Sequence, residues 1–99
     1  MVLGDAHGTS CTPRFTRMVE ETLSRMGYRT RRNDPYAGGY VTRHYGCPRE
    51  GVHALQIELA RSLYMDEQRI ERRPGLLALQ RDLGSLIATL AAADWSALR

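Results

Sequence analysis

Two stretches, one near each end of the chain, carry apolar residues at helical spacing, and each needs a surface to lie on. Phe15, Met18, Val19, Leu23 and Met26 recur at three- and four-residue steps and so share one helical face. Leu76, Leu79, Leu83, Leu86, Ile87 and Leu90 form a second stripe, in a helix beginning near Pro74. Thr12 is placed to cap the first helix, and Pro13 suits a first turn where no amide hydrogen is needed. Gly27 supplies its left-handed stop. A one-sided helix packs its apolar stripe against a core, so both helices need something further to pack on.

The strand signals are short. Val2-Leu3 reads as a strand stopped by Gly4-Asp5, and "YRTRRN" at 28–33 alternates, with Tyr28 and Thr30 on one side. "VHALQIELA" at 52–60 sets Leu55, Ile57 and Leu59 on one face and Ala54, Gln56 and Glu58 on the other. "HGTSC" and "NDPYAGG" read as loops, and "RSLYMDEQRIERRP" as a connector. The order strand, helix, strand, loop, strand, helix predicts an α/β layering with about three strands and two main helices. Three short strands make a small sheet for two amphipathic helices, and 99 residues are marginal for a domain. Residues 1–99 are therefore expected to form a single partial domain, the C-terminal part of a larger one.

Composition narrows the function classes. No segment approaches the roughly 20 apolar residues of a membrane span. "MVLGDAHG" has neither a basic nor an apolar leader region, so no membrane partner and a cytoplasmic location are expected. Cys11 and Cys47 are too few for a disulfide scaffold and are expected to be reduced. All 14 basic residues are arginine, but the net charge is only +3 and acids are interleaved. That describes a solvated face rather than a nucleic-acid surface.

Glu58 raises the sharper question. A carboxylate among apolar strand residues costs free energy to desolvate unless it is paired or left wet. It is either a surface glutamate on the polar face of an edge strand or a general base. Arg43, His44 and Tyr45 follow the Gly38-Gly39 turn, where small residues let a ligand approach closely. An arginine there can clamp a carboxylate through two parallel hydrogen bonds. His7, His44, His53 and Cys11 show no metal-ligand spacing, so no zinc site is expected among them.

"LGDAHGTSC", "GYRTRRNDPYAGGYVTRHYG" and "GVHALQIELARSLYMDE", spanning Leu3 to Glu67, resemble the C-terminal part of the N-formylglutamate amidohydrolase (N-formylglutamate deformylase) family. The most specific part is NDPYAGGY followed by HYG and then ALQIE, in the right order and at the right separation. The resemblance implies a zinc-carboxypeptidase-like mixed sheet with flanking helices. It also implies hydrolysis of N-formyl-L-glutamate, a small N-acyl amino acid, to formate and L-glutamate, typically in bacterial histidine degradation. Glu58 would then be the proton shuttle beside a zinc ion that activates water and polarises the formyl carbonyl. Arg43 is the candidate for a substrate carboxylate, with Asn33, His44 and Tyr40 lining the pocket. The family's zinc ligands lie upstream of the matching stretch, and Cys47 stands where HYGRP-like versions commonly carry arginine. This chain alone is thus expected to lack metal and activity. An upstream partner chain would complete it, or it is an inactive remnant that self-associates as an interaction module.

Overall fold

In the computed structural model, which describes residues 1–60, 62, 65–66, 71–72 and 75–93, the first apolar stripe forms helix α1, Pro13–Arg25. The Thr12 hydroxyl oxygen accepts from the Phe15 amide at 3.4 Å, capping the helix as its sequence position suggests. At the other end Gly27 takes a φ of 95°, and the Tyr28 amide turns back to the Leu23 carbonyl at 3.0 Å. That closure satisfies a carbonyl that would otherwise be orphaned.

Strand β1, Val2–Gly4, lies at the centre of a three-stranded mixed sheet. Strand β2, Arg31–Arg32, runs parallel to it, with Val2 opposite Arg31 and Leu3 opposite Arg32. Strand β3, Gln56–Glu58, runs antiparallel on the other side, pairing Val2 with Glu58, Leu3 with Ile57 and Gly4 with Gln56. Side chains alternate across a sheet, so Leu3 and Ile57 share one face while Gly4, Gln56 and Glu58 share the other. The first face carries the helices. Leu3 packs with Val19 and Leu23 of α1 and with Leu86 of the C-terminal helix, while Phe15, Met26, Leu55, Leu83 and Leu90 close around them. A tie across the layer comes from Tyr28, whose hydroxyl donates to Asp82 at 2.6 Å.

The differences from expectation trace to particular contacts. The strand expected over 52–60 keeps regular pairing only at Gln56–Glu58. Ala54 instead exchanges bonds with Ser10, whose carbonyl accepts from the Ala54 amide at 2.9 Å and whose hydroxyl donates to the Ala54 carbonyl at 2.7 Å. Val52 bridges to Cys47 around a single 3₁₀ turn, Pro48–Glu50. The strand expected over 28–33 is reduced to Arg31–Arg32, because Tyr28 closes α1 and Asn33 leaves extended geometry at a φ of 58°. Residues 40–45, to which periodicity assigns no element, form the short helix α2, Tyr40–Tyr45. Within the expected connector, Met65–Asp66 (β4) pairs antiparallel with Glu71–Arg72 (β5). The last helix, α3, is Gly75–Ala92; Ile87 of the second stripe is exposed there, whereas Leu79 and Leu86 are buried. Pro74, expected near its start, lies outside the described residues. Among the described residues no helix is long and apolar enough to cross a membrane.

A polar knot fixes the turn from β1 into α1. Asp5, only 4% exposed, accepts from the Gly8 amide at 2.8 Å, from the Asn33 side-chain amide at 2.8 Å and from the Thr16 hydroxyl at 3.0 Å. Burial alone pushes its carboxyl upward. The hydrogen bonds from Asn33, Gly8 and Thr16, with the Arg32 charge, outweigh it and hold the group below its ordinary 3.8. A carboxyl lowered by folding stabilises the fold above its unfolded value, and that stability is lost as pH falls through the folded value. The melting temperature should therefore drop steeply below about pH 4, and less steeply in Asp5→Asn. Parallel acid profiles in thermal melts of the two chains would show that Asp5 does not carry the effect.

Candidate active site

Gly4 opens the second face of the sheet. A Cβ at this position would lie 2.7 Å from both the Ala37 carbonyl carbon and the Gly38 nitrogen, so the turn-rich loop crosses directly over it. The loop is pinned there by the Ala6 amide, which donates to the Ala37 carbonyl at 2.7 Å. Gly38, at a φ of 117°, takes a conformation that L side chains rarely adopt, and the chain then enters α2. Its neighbour Gly39 points its amide at the β3 side chains, donating to Gln56 Oε1 at 2.8 Å. Gln56 in turn donates from Nε2 to Glu58 Oε1 at 2.8 Å.

Helix α2 stacks the rings of Tyr40 and His44, one turn apart, at a centroid distance of 4.8 Å. His44 also meets the edge of Tyr45 at 4.7 Å. An open pocket of about 520 Å³ is lined by Gly38, Gly39, Tyr40, Arg43 and His44. The Arg43 side chain is exposed and has no ion pair or hydrogen bond among the described residues. An unpaired guanidinium beside backbone amides and aromatic rings suits a planar anion such as a carboxylate.

Three of the expected substrate contacts, Arg43, His44 and Tyr40, thus meet at one pocket, and Glu58 connects to its rim through Gln56. Asn33 stands apart. Its Oδ1 accepts from the Asp5 and His7 amides at 3.1 and 3.3 Å, and its Nδ2 donates to Asp5. Asn33 therefore braces the turn after β1, and it is not among the residues lining the pocket. Sequence reasoning set Gln56 on the same strand face as Glu58 without singling it out. Its two-residue offset was the available signal.

Among the described residues no three histidine, cysteine, aspartate or glutamate side chains converge on one point. His53 stacks on Phe15 at 5.5 Å and accepts from the Thr12 amide through Nδ1 at 3.2 Å. Cys11 is buried, which pushes its thiol up and away from the thiolate a metal needs. Among the described residues, no set of side chains fits a zinc ion.

Residues 1–65 match the sequence profile of the N-formylglutamate amidohydrolase family. An N-formylglutamate deformylase of Pseudomonas aeruginosa is 45% identical over 67 residues, which is 67% of this chain and 25% of that protein. A second, from Pseudomonas putida, is 41% identical over 66 residues, covering 66% and 25% respectively. The crystal structure of N-formylglutamate amidohydrolase from Ralstonia eutropha JMP134 superposes with a TM-score of 0.85 at 46% identity, covering 91% of this chain and 32% of that one. The chain spans about a quarter of the length of the curated relatives it matches.

Proposed function

The chain belongs to the N-formylglutamate amidohydrolase family, and on that premise we propose that it supplies the general base and part of the substrate pocket for hydrolysis of N-formyl-L-glutamate. The observation that supports this most is the pair of hydrogen bonds running from Glu58 through Gln56 to Gly39, at the lip of the pocket that holds Arg43. In this proposal Glu58 takes a proton from the water that attacks the formyl carbon. As the carbon–nitrogen bond breaks, it gives that proton to the departing amine, leaving formate and L-glutamate. Arg43 binds a carboxylate of the substrate, while Tyr40 and His44 form the pocket wall. Asn33 acts from behind by holding the turn through Asp5.

Zinc ligands are assigned to residues outside this chain, on the remainder of such an enzyme or on an upstream partner chain, and no step at the metal is assigned to the residues described above. A cytoplasmic setting, with Cys11 and Cys47 as thiols, belongs to the same proposal; both are free cysteines.

The test joins the full chain to the Pseudomonas aeruginosa deformylase in place of the segment it matches, and measures formate release from N-formyl-L-glutamate. The expected result is turnover with zinc bound in the chimera, and neither zinc nor formate with the chain alone. A chimera that melts cooperatively yet releases no formate overturns the proposal. One zinc per chain with turnover in the chain alone overturns the assignment of the ligands elsewhere.

A second reading, an inactive module that self-associates, draws support from the exposed Tyr40, Val41, Tyr45 and Val52 and from the position of β3 at the edge of its sheet among the described residues. Sizing chromatography decides it, since a compact monomer counts against association.

A further inference from the structure

We infer that Gln56 is a positioning residue, which orients the Glu58 carboxylate and locks it to the Gly38-Gly39 loop as one unit. The inference rests on the proposed role of Glu58 as general base.

The chemistry of the two neighbours fixes the direction of the Gln56 amide. The Gly39 backbone N–H can only donate, so the atom facing it at 2.8 Å must be the carbonyl oxygen, Oε1. Nε2 then faces Glu58 Oε1 at 2.8 Å, where an ionised carboxylate can only accept. Reversing the amide would set donor against donor on one side and acceptor against acceptor on the other. Both bonds hold together or neither does.

Backbone geometry makes this possible. Gln56 and Glu58 are two residues apart on a strand and project from the same face. Gly4, directly opposite Gln56 in the antiparallel pair, has no side chain, which lets the loop come down to within reach.

The consequence for Glu58 is an asymmetry. Oε1 is held by Gln56, while Oε2 has no hydrogen bond among the described residues. One oxygen is anchored and the other is left to exchange a proton. A glutamate side chain has three rotatable bonds, and proton transfer needs the base within hydrogen-bond reach of the attacking water. Loss of the anchor spreads the carboxylate over many positions, and a misplacement of about 1 Å can cost roughly a hundredfold in rate.

The alternative is that Gln56 only clips the loop to the sheet. Two comparisons in the chimera separate the two. Gln56→Met keeps the length of the side chain and removes both bonds, so kcat should fall about tenfold to a hundredfold with KM within about threefold. In a Glu58→Gln background, Gln56→Met should cause no further loss of the residual rate, because a residue acting through Glu58 has nothing left to position. Full kcat in Gln56→Met, or a loss that adds to that of Glu58→Gln, overturns the inference.

A folded parent chimera that releases no formate overturns the proposed function, and the positioning role falls with it. The bond itself is read without turnover in the full chain by hydrogen exchange at the Gly39 amide. Exchange should be faster in Gln56→Met, and an unchanged rate overturns the link.

Discussion

Glu58→Gln in the assembled enzyme should lower kcat by about a hundredfold to ten-thousandfold, the range that a positioned acid–base group contributes. Zinc content should stay nearly intact. The substitution is close to isosteric, and the new side-chain oxygen can still accept from Gln56, so the geometry of the strand and the loop is kept. What is lost is the ability to take up a proton. A carboxamide cannot remove one from water or return it to the leaving amine. KM should change little, because Arg43 and the pocket rings are untouched. Turnover equal to that of the parent, with formate release as the readout, would sink the proton-transfer role. A loss of zinc would mean instead that Glu58 is a ligand.

Gly4→Ala should destabilise the chain by about 2–6 kcal/mol. The added Cβ would meet the Ala37 carbonyl carbon and the Gly38 nitrogen at 2.7 Å and the Ala37 oxygen at 2.9 Å. These are backbone atoms that cannot rotate aside. Either β1 moves within its sheet or the loop lifts, and overpacking of this kind costs about 1–3 kcal/mol. A lifted loop also breaks the bond from the Ala6 amide to the Ala37 carbonyl, which adds about 1–3 kcal/mol for a buried group left unpaired. For a chain of this length each kcal/mol lowers the melting temperature by roughly 4–8 °C. Gly84 is the control. It sits inside α3, where an added methyl group would meet nothing within 4 Å, so Gly84→Ala should raise stability by roughly 1 kcal/mol. Thermal melts of the two variants should therefore move in opposite directions. A Gly4→Ala chain that melts with the parent would mean that the loop does not rest on β1.

The parts of this molecule that could be read in advance are those whose cause is local. α1 announces itself through Thr12, Pro13, a periodic apolar face and Gly27, all within one short stretch. The apolar stripe of α3 follows the same logic, although Ile87 turned outward because the buried ridge runs through Leu79 and Leu86. Glu58 stood out because a carboxylate in a strand needs a reason. By contrast, α2 is only six residues long, too short to display a helical period. The shortening of β3 depends on Ser10, which lies 44 positions from Ala54. The role of Asn33 depends on Asp5, 28 positions away. A side-chain amide can serve a ligand or a turn equally well, and only the partner brought beside it by the fold decides which.

The central place of β1 also orders events during synthesis. It emerges before β2 and β3, and its two hydrogen-bonding edges are completed by strands that arrive at different times. The parallel edge closes once α1 and β2 have followed, a local βαβ event. The antiparallel edge stays open until residues 56–58 appear. Long-range pairing of this sort is slow, because the intervening loop must be closed before the contact gives any return. A nascent chain therefore carries an unsatisfied strand edge, a site for mispairing with neighbouring chains, for as long as the glycine loop and α2 are still being made. The strand that brings the proposed catalytic carboxylate is the one that ends this exposure, so covering the second edge of β1 and bringing Glu58 to the glycine loop are a single step.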